Sequence, residues 1–255
     1  MPIVRKFNHG LLTLGQMSFL TGEIVRALTR RRLNFKDLLY QLYSIGVMSQ
    51  SVVLITGAFT GMVLAAQTYL QFHKVRMDTA TMAVVSVSML SQLGPVLTGL
   101  MVAGRVGSGI AAELGSMMVT DQIAALRALG TDPVRKLVVP RILAGLLMVP
   151  VLTIISSAVG MVGGWIVTFG VLRVASSVYW NSVVQGLYIQ DVWMGLIKPF
   201  FLGFAIVSIG CHVGLRTRGG TQGVGRATTN AVVASSVAVI AINYLVTQLL
   251  IVLMY

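Results

Sequence analysis

Five stretches of the 255-residue chain carry no Asp, Glu, Lys or Arg: Leu42 to Leu70, Ala80 to Gly104, Ile142 to Leu172, Pro199 to Leu215 and Ala231 to Tyr255. About 20 apolar helical residues cross the roughly 30 Å hydrocarbon core of a bilayer. Each stretch approaches or exceeds that length. The pattern predicts an all-α integral membrane protein with about five transmembrane helices, over residues 42–70, 80–104, 137–172, 199–215 and 231–255.

Small residues and prolines within these runs say how they pack. Gly57 and Gly61 stand four apart in the first run, which allows a close helix approach, and Gln67 and Tyr69 follow near its end. Gly94-Pro95 near the middle of the second run should kink it, because proline lacks a backbone donor. The third run is too long for one upright helix and contains Pro140, Pro150, Gly160, Gly163 and Gly164, so it should tilt or bend. Its start is marked by Gly130 as a helix terminator, Asp132 as a cap and Pro133 at the first helical position. Residues 173–198 carry Tyr179, Trp180, Tyr188 and Trp193 and read as an external segment with interfacial aromatics.

Two further segments are neither spans nor plain loops. In residues 1–40, Leu20, Ile24, Leu28, Leu33 and Phe35 are set among Arg26 and the run Arg30 to Arg32, as in an amphipathic helix lying at the interface; a soluble tail is the alternative. In residues 105–130, Ile110, Leu114 and Met117 share one helical face, and Ile123 and Leu126 resume the spacing after Thr120. This suggests a short helix with one face against the bundle and another offered to a partner, the alternative being a buried structural turn.

Charge sets the orientation. With the amino terminus cytoplasmic, fifteen Lys and Arg lie inside and four (Lys74, Arg76, Arg173 and Lys198) outside, as the positive-inside rule demands. Tyr255 then falls on the far side, and 105–130 is cytoplasmic. The chain is 56% hydrophobic and 10% charged, with a mean hydropathy of +0.86, and its net charge of +12 reflects topology and anionic headgroups rather than nucleic acid.

The chemistry-bearing residues are sparse. All seven carboxylates (Glu23, Asp37, Asp78, Glu113, Asp121, Asp132 and Asp191) fall in connections or flanking segments, which disfavours ion-coupled transport. His9, His73 and His212 lack metal-ligand spacing, and the single Cys211 reads as a small buried hydrophobe. The run Arg216 to Arg226 is glycine-rich, yet no lysine in the chain precedes Ser or Thr, so the chain has no Walker-type ATPase motif. A flexible turn capped by Thr228 or Thr229 describes that run better than a nucleotide site.

Leu93-Gly-Pro-Val-Leu-Thr98, Ala103-Gly-Arg-Val-Gly107, Ala112-Glu-Leu-Gly115, Asp121-Gln-Ile-Ala-Ala-Leu126, Leu129-Gly-Thr-Asp-Pro133, Pro140-Arg141 and Arg226-Ala-Thr-Thr229 carry a resemblance over nearly the whole chain. In their order and spacing, the chain resembles the MlaE/YrbE-type permeases of MCE-associated ABC lipid transporters. The resemblance implies an inner-membrane homodimer that moves phospholipid or related lipids. It also implies a cytoplasmic ABC ATPase that hydrolyses the ATP, an MCE-domain protein on the periplasmic side and a small STAS-type accessory subunit. No cofactor in this chain and no catalytic role are implied. A non-transporting scaffold that docks a cytoplasmic partner through residues 105–129 is the alternative.

Site residues follow from these readings. Arg105, Glu113, Asp121, Gln122 and Leu126 are expected to couple to the ATPase on a cytoplasmic helix between the second and third spans. Leu64, Gln67 and Phe72 on the first helix and Ser91, Gln92 and Leu93 on the second are expected to line a lipid cavity at the dimer interface. Relatives often place Arg or Lys and then Glu at the positions of Ser91 and Gln92, Glu and Asp at those of Asp121 and Ala124, and Asp at that of Asn243. Here a headgroup is therefore expected to be held by hydrogen bonds rather than by a buried ion pair, with weak headgroup selectivity.

Overall fold

The computed structural model describes residues 35–74 and 78–254, and no strand occurs among them. Five helices are long and apolar enough to cross a membrane: α1 (Phe35–Lys74), α2 (Thr81–Val119), α4 (Val134–Gly170), α6 (Ile189–Gly214) and α7 (Gly220–Met254). Two short helices complete the bundle. They are α3 (Gln122–Ala128), between α2 and α4, and α5 (Ser176–Gly186), between α4 and α6. The five long helices alternate in direction. Lys74, Gly170, Ile189 and Met254 therefore share one end, called here the Met254 end, while Val119, Val134 and Gly220 share the other, the Gly220 end.

Close helix crossings hold the bundle together, and glycine makes them possible. On α1, a Cβ at Gly57 would stand 2.7 Å from the Ser156 carbonyl oxygen, and one at Gly61 would collide with the Gly160 carbonyl oxygen. In return, a Cβ on Gly163 of α4 would meet the Ala58 carbonyl oxygen at 2.5 Å. The four-residue spacing in the first run thus serves packing within one chain, against the glycines of the third. A second crossing joins α4 to α6, where a Cβ on Gly203 would lie 2.6 Å from the Gly145 carbonyl oxygen. Without a hydrophobic drive between helices in lipid, this intimacy supplies the dispersion energy of assembly.

Helix α2 touches each of the other four long helices and forms the axis of the bundle. The largest buried cluster lies around it, with Val102, Val106, Ile110 and Leu114 of α2 packed among Ile142 and Val149 of α4 and Leu202, Ile206 and Val207 of α6. Pro95 does not break α2. A wide π-helical turn at Met89–Leu93, in which the Gly94 amide donates to the Met89 carbonyl, precedes the proline and absorbs it. Near the Met254 end, α5 packs on the start of α2. There the hydroxyl of buried Tyr179 donates to the Met161 carbonyl at 2.7 Å, and burial pushes that phenol up to about 12.

Boundaries differ from the hydropathy reading. The fourth long helix begins at Ile189 rather than Pro199, because Asp191 in its first turn accepts from the Tyr188 amide at 3.2 Å; the assignment of 173–198 to an external segment is corrected accordingly. Helix α7 begins at Gly220, not at 231. Thr228 and Thr229 are not caps, since their hydroxyls donate back to the Gly225 carbonyl within the helix. Residues 105–119 continue α2, with Val106, Ile110, Ala111 and Leu114 buried, so only α3 stands apart as a short helix in 105–130. Of the expected interfacial segment at 1–40, residues 1–34 lie outside the described residues, and Phe35–Leu42 opens α1.

The glycine crossings generate a test. Gly61→Val should destabilise the solubilised protein by at least about 3 kcal/mol, the upper range for overpacking. Gly104→Ala, with nothing within 4 Å of the added carbon, should leave the thermal unfolding midpoint unchanged or raised. Equal behaviour of the two variants in an unfolding scan would remove the crossing from the account.

Candidate functional site

Lys198 is the one residue that a hydrocarbon-spanning helix should least tolerate, and it is fully buried, at 0% exposure. It sits in the Met254-end half of α6, and its Nζ donates to the Ser91 carbonyl at 2.7 Å and to Gln92 Oε1 at 2.9 Å. The Ser91 carbonyl is available because its ordinary helical donor would be the amide of residue 95, and Pro95 has none. Gln92 is itself approached by α7, with the Thr247 hydroxyl 3.5 Å from its Oε1 and donating to the Asn243 carbonyl at 2.6 Å. The Asn243 Oδ1 is buried without a partner.

The arrangement is electrostatically lopsided. An ammonium has three donors, of which two are used, and among the described residues no carboxylate approaches it. A lysine at the centre of a membrane helix costs about 2.5 to 3.5 kcal/mol on insertion scales, and its neutral acceptors leave the positive charge uncancelled. A group of atoms built this way is complementary to an anion. The same π-helical turn also carries apolar residues: Met89 and Leu93 flank Ser91 and Gln92 and pack with Ala65, Val85, Leu64 and Met161. A cationic polar cluster next to an apolar one suits an amphiphile with an anionic head.

The structure therefore joins Ser91 and Gln92 through Lys198, and Leu64 and Leu93 through one apolar cluster. It does not bring Gln67 or Phe72 into either; Gln67 is exposed and Phe72 half-buried nearer the Met254 end of α1. Lys198 is the residue that the sequence reading missed, since it was placed outside the membrane as the last residue of an external segment. Its signal was present. Gly195 and Leu196 before it and Pro199, Phe200 and Phe201 after it continue the apolar run on both sides.

At the Gly220 end, the candidate coupling residues divide. Arg105 turns inward, donating from one Nη to Ser49 Oγ at 2.6 Å and to the Ser44 carbonyl at 3.3 Å, and so ties α2 to α1. Glu113, about half exposed, pairs at 2.8 Å with Arg141 of α4, which is only 2% exposed. Both side chains are committed within the chain. By contrast, Asp121 and Gln122 are exposed. Asp121 has a left-handed backbone at φ 56°, tolerable for Asp, which turns the chain into α3. Buried Ile123 anchors α3, Leu126 is half-buried, and Leu129 beyond it is 79% exposed. The outward surface at this end is thus α3 with its flanks. Among the described residues, no group of His, Cys, Asp or Glu is placed to hold a metal ion.

Residues 38–249 match the family described as Permease MlaE. A probable ABC transporter permease protein of Rickettsia bellii is 42% identical over 237 residues, covering 93% of this chain and 92% of the relative. A probable ABC transporter permease protein of Synechocystis is 40% identical over 232 residues, covering 91% and 88%. The intermembrane phospholipid transport system permease protein of Haemophilus influenzae is 32% identical over 238 residues, covering 93% and 91%.

The lysine contacts can be measured without any transport assay. Gln92→Leu strips one acceptor from a buried ammonium and should destabilise by about 1.5 to 3 kcal/mol, the range for hydrogen bonds to charged groups. Adding Lys198→Met to Gln92→Leu should recover part of that loss, because the unpaired charge is gone. Strict additivity of the two changes in an unfolding titration would show that the contact is not energetically coupled.

Proposed function

Since this chain belongs to the MlaE permease family, we propose that it is the membrane subunit of an ATP-driven transporter that moves phospholipid between the inner membrane and an MCE-type partner. The family and the ABC permease relatives make it a multi-pass membrane permease, and their names support a separate ATPase as its source of power. The phospholipid cargo rests on the Haemophilus influenzae relative, whose name carries it, and on one observation here: the buried, uncancelled charge of Lys198 beside the apolar cluster of Leu64 and Leu93.

In this reading the cluster, in which Lys198 is fully covered in this structure, opens before the remaining N–H of Lys198 meets the lipid phosphate, and the Thr247 and Asn243 groups of α7 complete the polar wall. Acyl chains follow the apolar side at about 0.8 kcal/mol per buried methylene. The expectation of a purely neutral headgroup site is revised, because the lysine favours phosphate-bearing lipids over uncharged ones. The exposed apolar faces of α1 (Phe59, Val63, Leu70) and α7 (Val237, Tyr244, Leu245) suit a second copy, with the lipid held between the two. The amino terminus is cytoplasmic, and α3 then docks the ATPase through Asp121, Gln122 and Leu126. The MCE and STAS-type partners would bind at opposite faces of the membrane.

Proteoliposomes holding the permease with its co-purified ATPase test this reading. Lys198→Gln should reduce ATP-dependent phospholipid transfer by about tenfold or more, the effect of losing one charge-assisted hydrogen bond, while Lys198→Arg retains much of it. Leu126→Asp should abolish ATPase co-purification. Transfer that is ATP-independent, or absent in the wild-type complex despite bound ATPase, would leave a docking scaffold as the better description.

A further inference from the structure

A second polar site lies at the opposite end of the bundle. Where α6 turns into α7, the chain folds around a cavity of about 420 Å³ whose walls include Arg216, Arg218, Arg226, His212, Gln222 and Asn230. Among the described residues, none of the three guanidinium groups pairs with a carboxylate; Glu113, on the neighbouring stretch of α2, is taken by Arg141. Like charges gathered around one small volume repel each other unless an anion sits among them.

Two independent features turn this basic turn into a built site. Gly219 (φ +91°) and Gly220 (φ +66°) are consecutive left-handed residues, a conformation that side chains disfavour. They reverse the chain so that the first turn of the 35-residue α7 opens at the cavity. The first amides of a helix have no acceptor within it and carry the positive end of its dipole. Separately, His212 on the cavity wall is 5% exposed, and its buried Nδ1 has no hydrogen-bond partner. A buried imidazole nitrogen left unpartnered in a native fold calls for a partner such as a water, an ion or a ligand.

We propose that this cavity binds a phosphate ester, with Arg218 and Arg226 as its paired guanidinium contacts, His212 Nδ1 as a donor from the floor and the α7 amides as a backbone cradle. Planar guanidinium groups match phosphate oxygens two at a time. The volume accommodates the ester's substituent as well as the phosphate. Val213 and Ala227 in the wall mark the apolar boundary, so the ester belongs either to an acidic phospholipid of that leaflet or to a soluble metabolite. The site is separate from Lys198 and does not depend on the direction or cargo of transport.

A reporter next in sequence to the cavity-lining Gln222 separates the sources. Thr221, exposed in the first turn of α7, is replaced by p-benzoylphenylalanine in the full chain. The protein is then photolysed in phosphatidylcholine vesicles containing about one-fifth phosphatidylglycerol, and lipid adducts are counted by mass spectrometry. A lipid headgroup ligand should enrich phosphatidylglycerol adducts about tenfold over its share in the vesicle, fall to that share in the Arg218→Gln, Arg226→Gln variant and persist in the Arg218→Lys, Arg226→Lys variant. A soluble ligand should give no enrichment; instead, millimolar inorganic phosphate should slow phenylglyoxal labelling of Arg218 and Arg226 in vesicles of phosphatidylcholine alone. Because both arginines are exposed, the substitutions leave folding intact, and unchanged thermal unfolding confirms it. Neither enrichment nor protection, or an enrichment indifferent to the arginines, overturns the proposal.

Discussion

The hydrogen bond from Lys198 Nζ to the Ser91 carbonyl joins a missing donor to a surplus one. Pro95 withholds the amide that would have satisfied that carbonyl, and hydrocarbon offers no water to replace it. The ammonium, for its part, could not be buried in α6 without acceptors. Each of the two helices carries a defect that the other repairs, and Gln92 adds a second acceptor from the same π-helical turn. The register of α6 against α2 follows from this contact, and so does the position of Thr247 on α7, whose hydroxyl approaches the same amide.

Around that contact the bundle is fastened by different forces at different depths. Glycine crossings bring α1 onto α4 and α4 onto α6 at backbone distance through the apolar middle. Toward the Gly220 end, where side chains meet water, the fastenings are ionic and polar: Arg141 with Glu113, and Arg105 with Ser49. Helix α2 takes part in both of these pairs and in the lysine cluster. In the proposed cycle, a displacement of α3 by the ATPase would pass through the short turn at Thr120 and Asp121 into α2 and reach Ser91 and Gln92 along that helix.

Much of this was legible in the order of residues. The number of spans follows from charge-free runs, and the close approach of the first and third follows from Gly57, Gly61 and the Gly160 to Gly164 group. The residues around Leu93-Gly-Pro marked the polar cluster as well. What could not be read is the partner of that turn, because nothing local to Ser91 and Gln92 points to a lysine more than a hundred residues away. Lys198 was further disguised by its own charge, since a rule that ends a span at the first cation excludes any cation that the fold has solvated from within. Similarly, Arg105 and Glu113 look like docking residues in a list of charges, and only the three-dimensional arrangement shows them spent on Ser49 and Arg141. The helical character of 105–119 was periodic and visible; its continuity with the second span depended on packing against α6 and α7.

The central claim is that the buried ammonium of Lys198 contacts the phosphate of the transported lipid. Solid-state NMR measures this directly, through nitrogen-15 to phosphorus-31 dipolar dephasing in the wild-type complex reconstituted with phospholipid and labelled at lysine Nζ. The Lys198 resonance is assigned by its loss in Lys198→Arg. The account predicts strong dephasing of that resonance, corresponding to direct hydrogen-bond contact, while ATP turnover is blocked and lipid is retained. A Lys198 signal that shows no phosphorus coupling in a complex with stoichiometric bound lipid would contradict it.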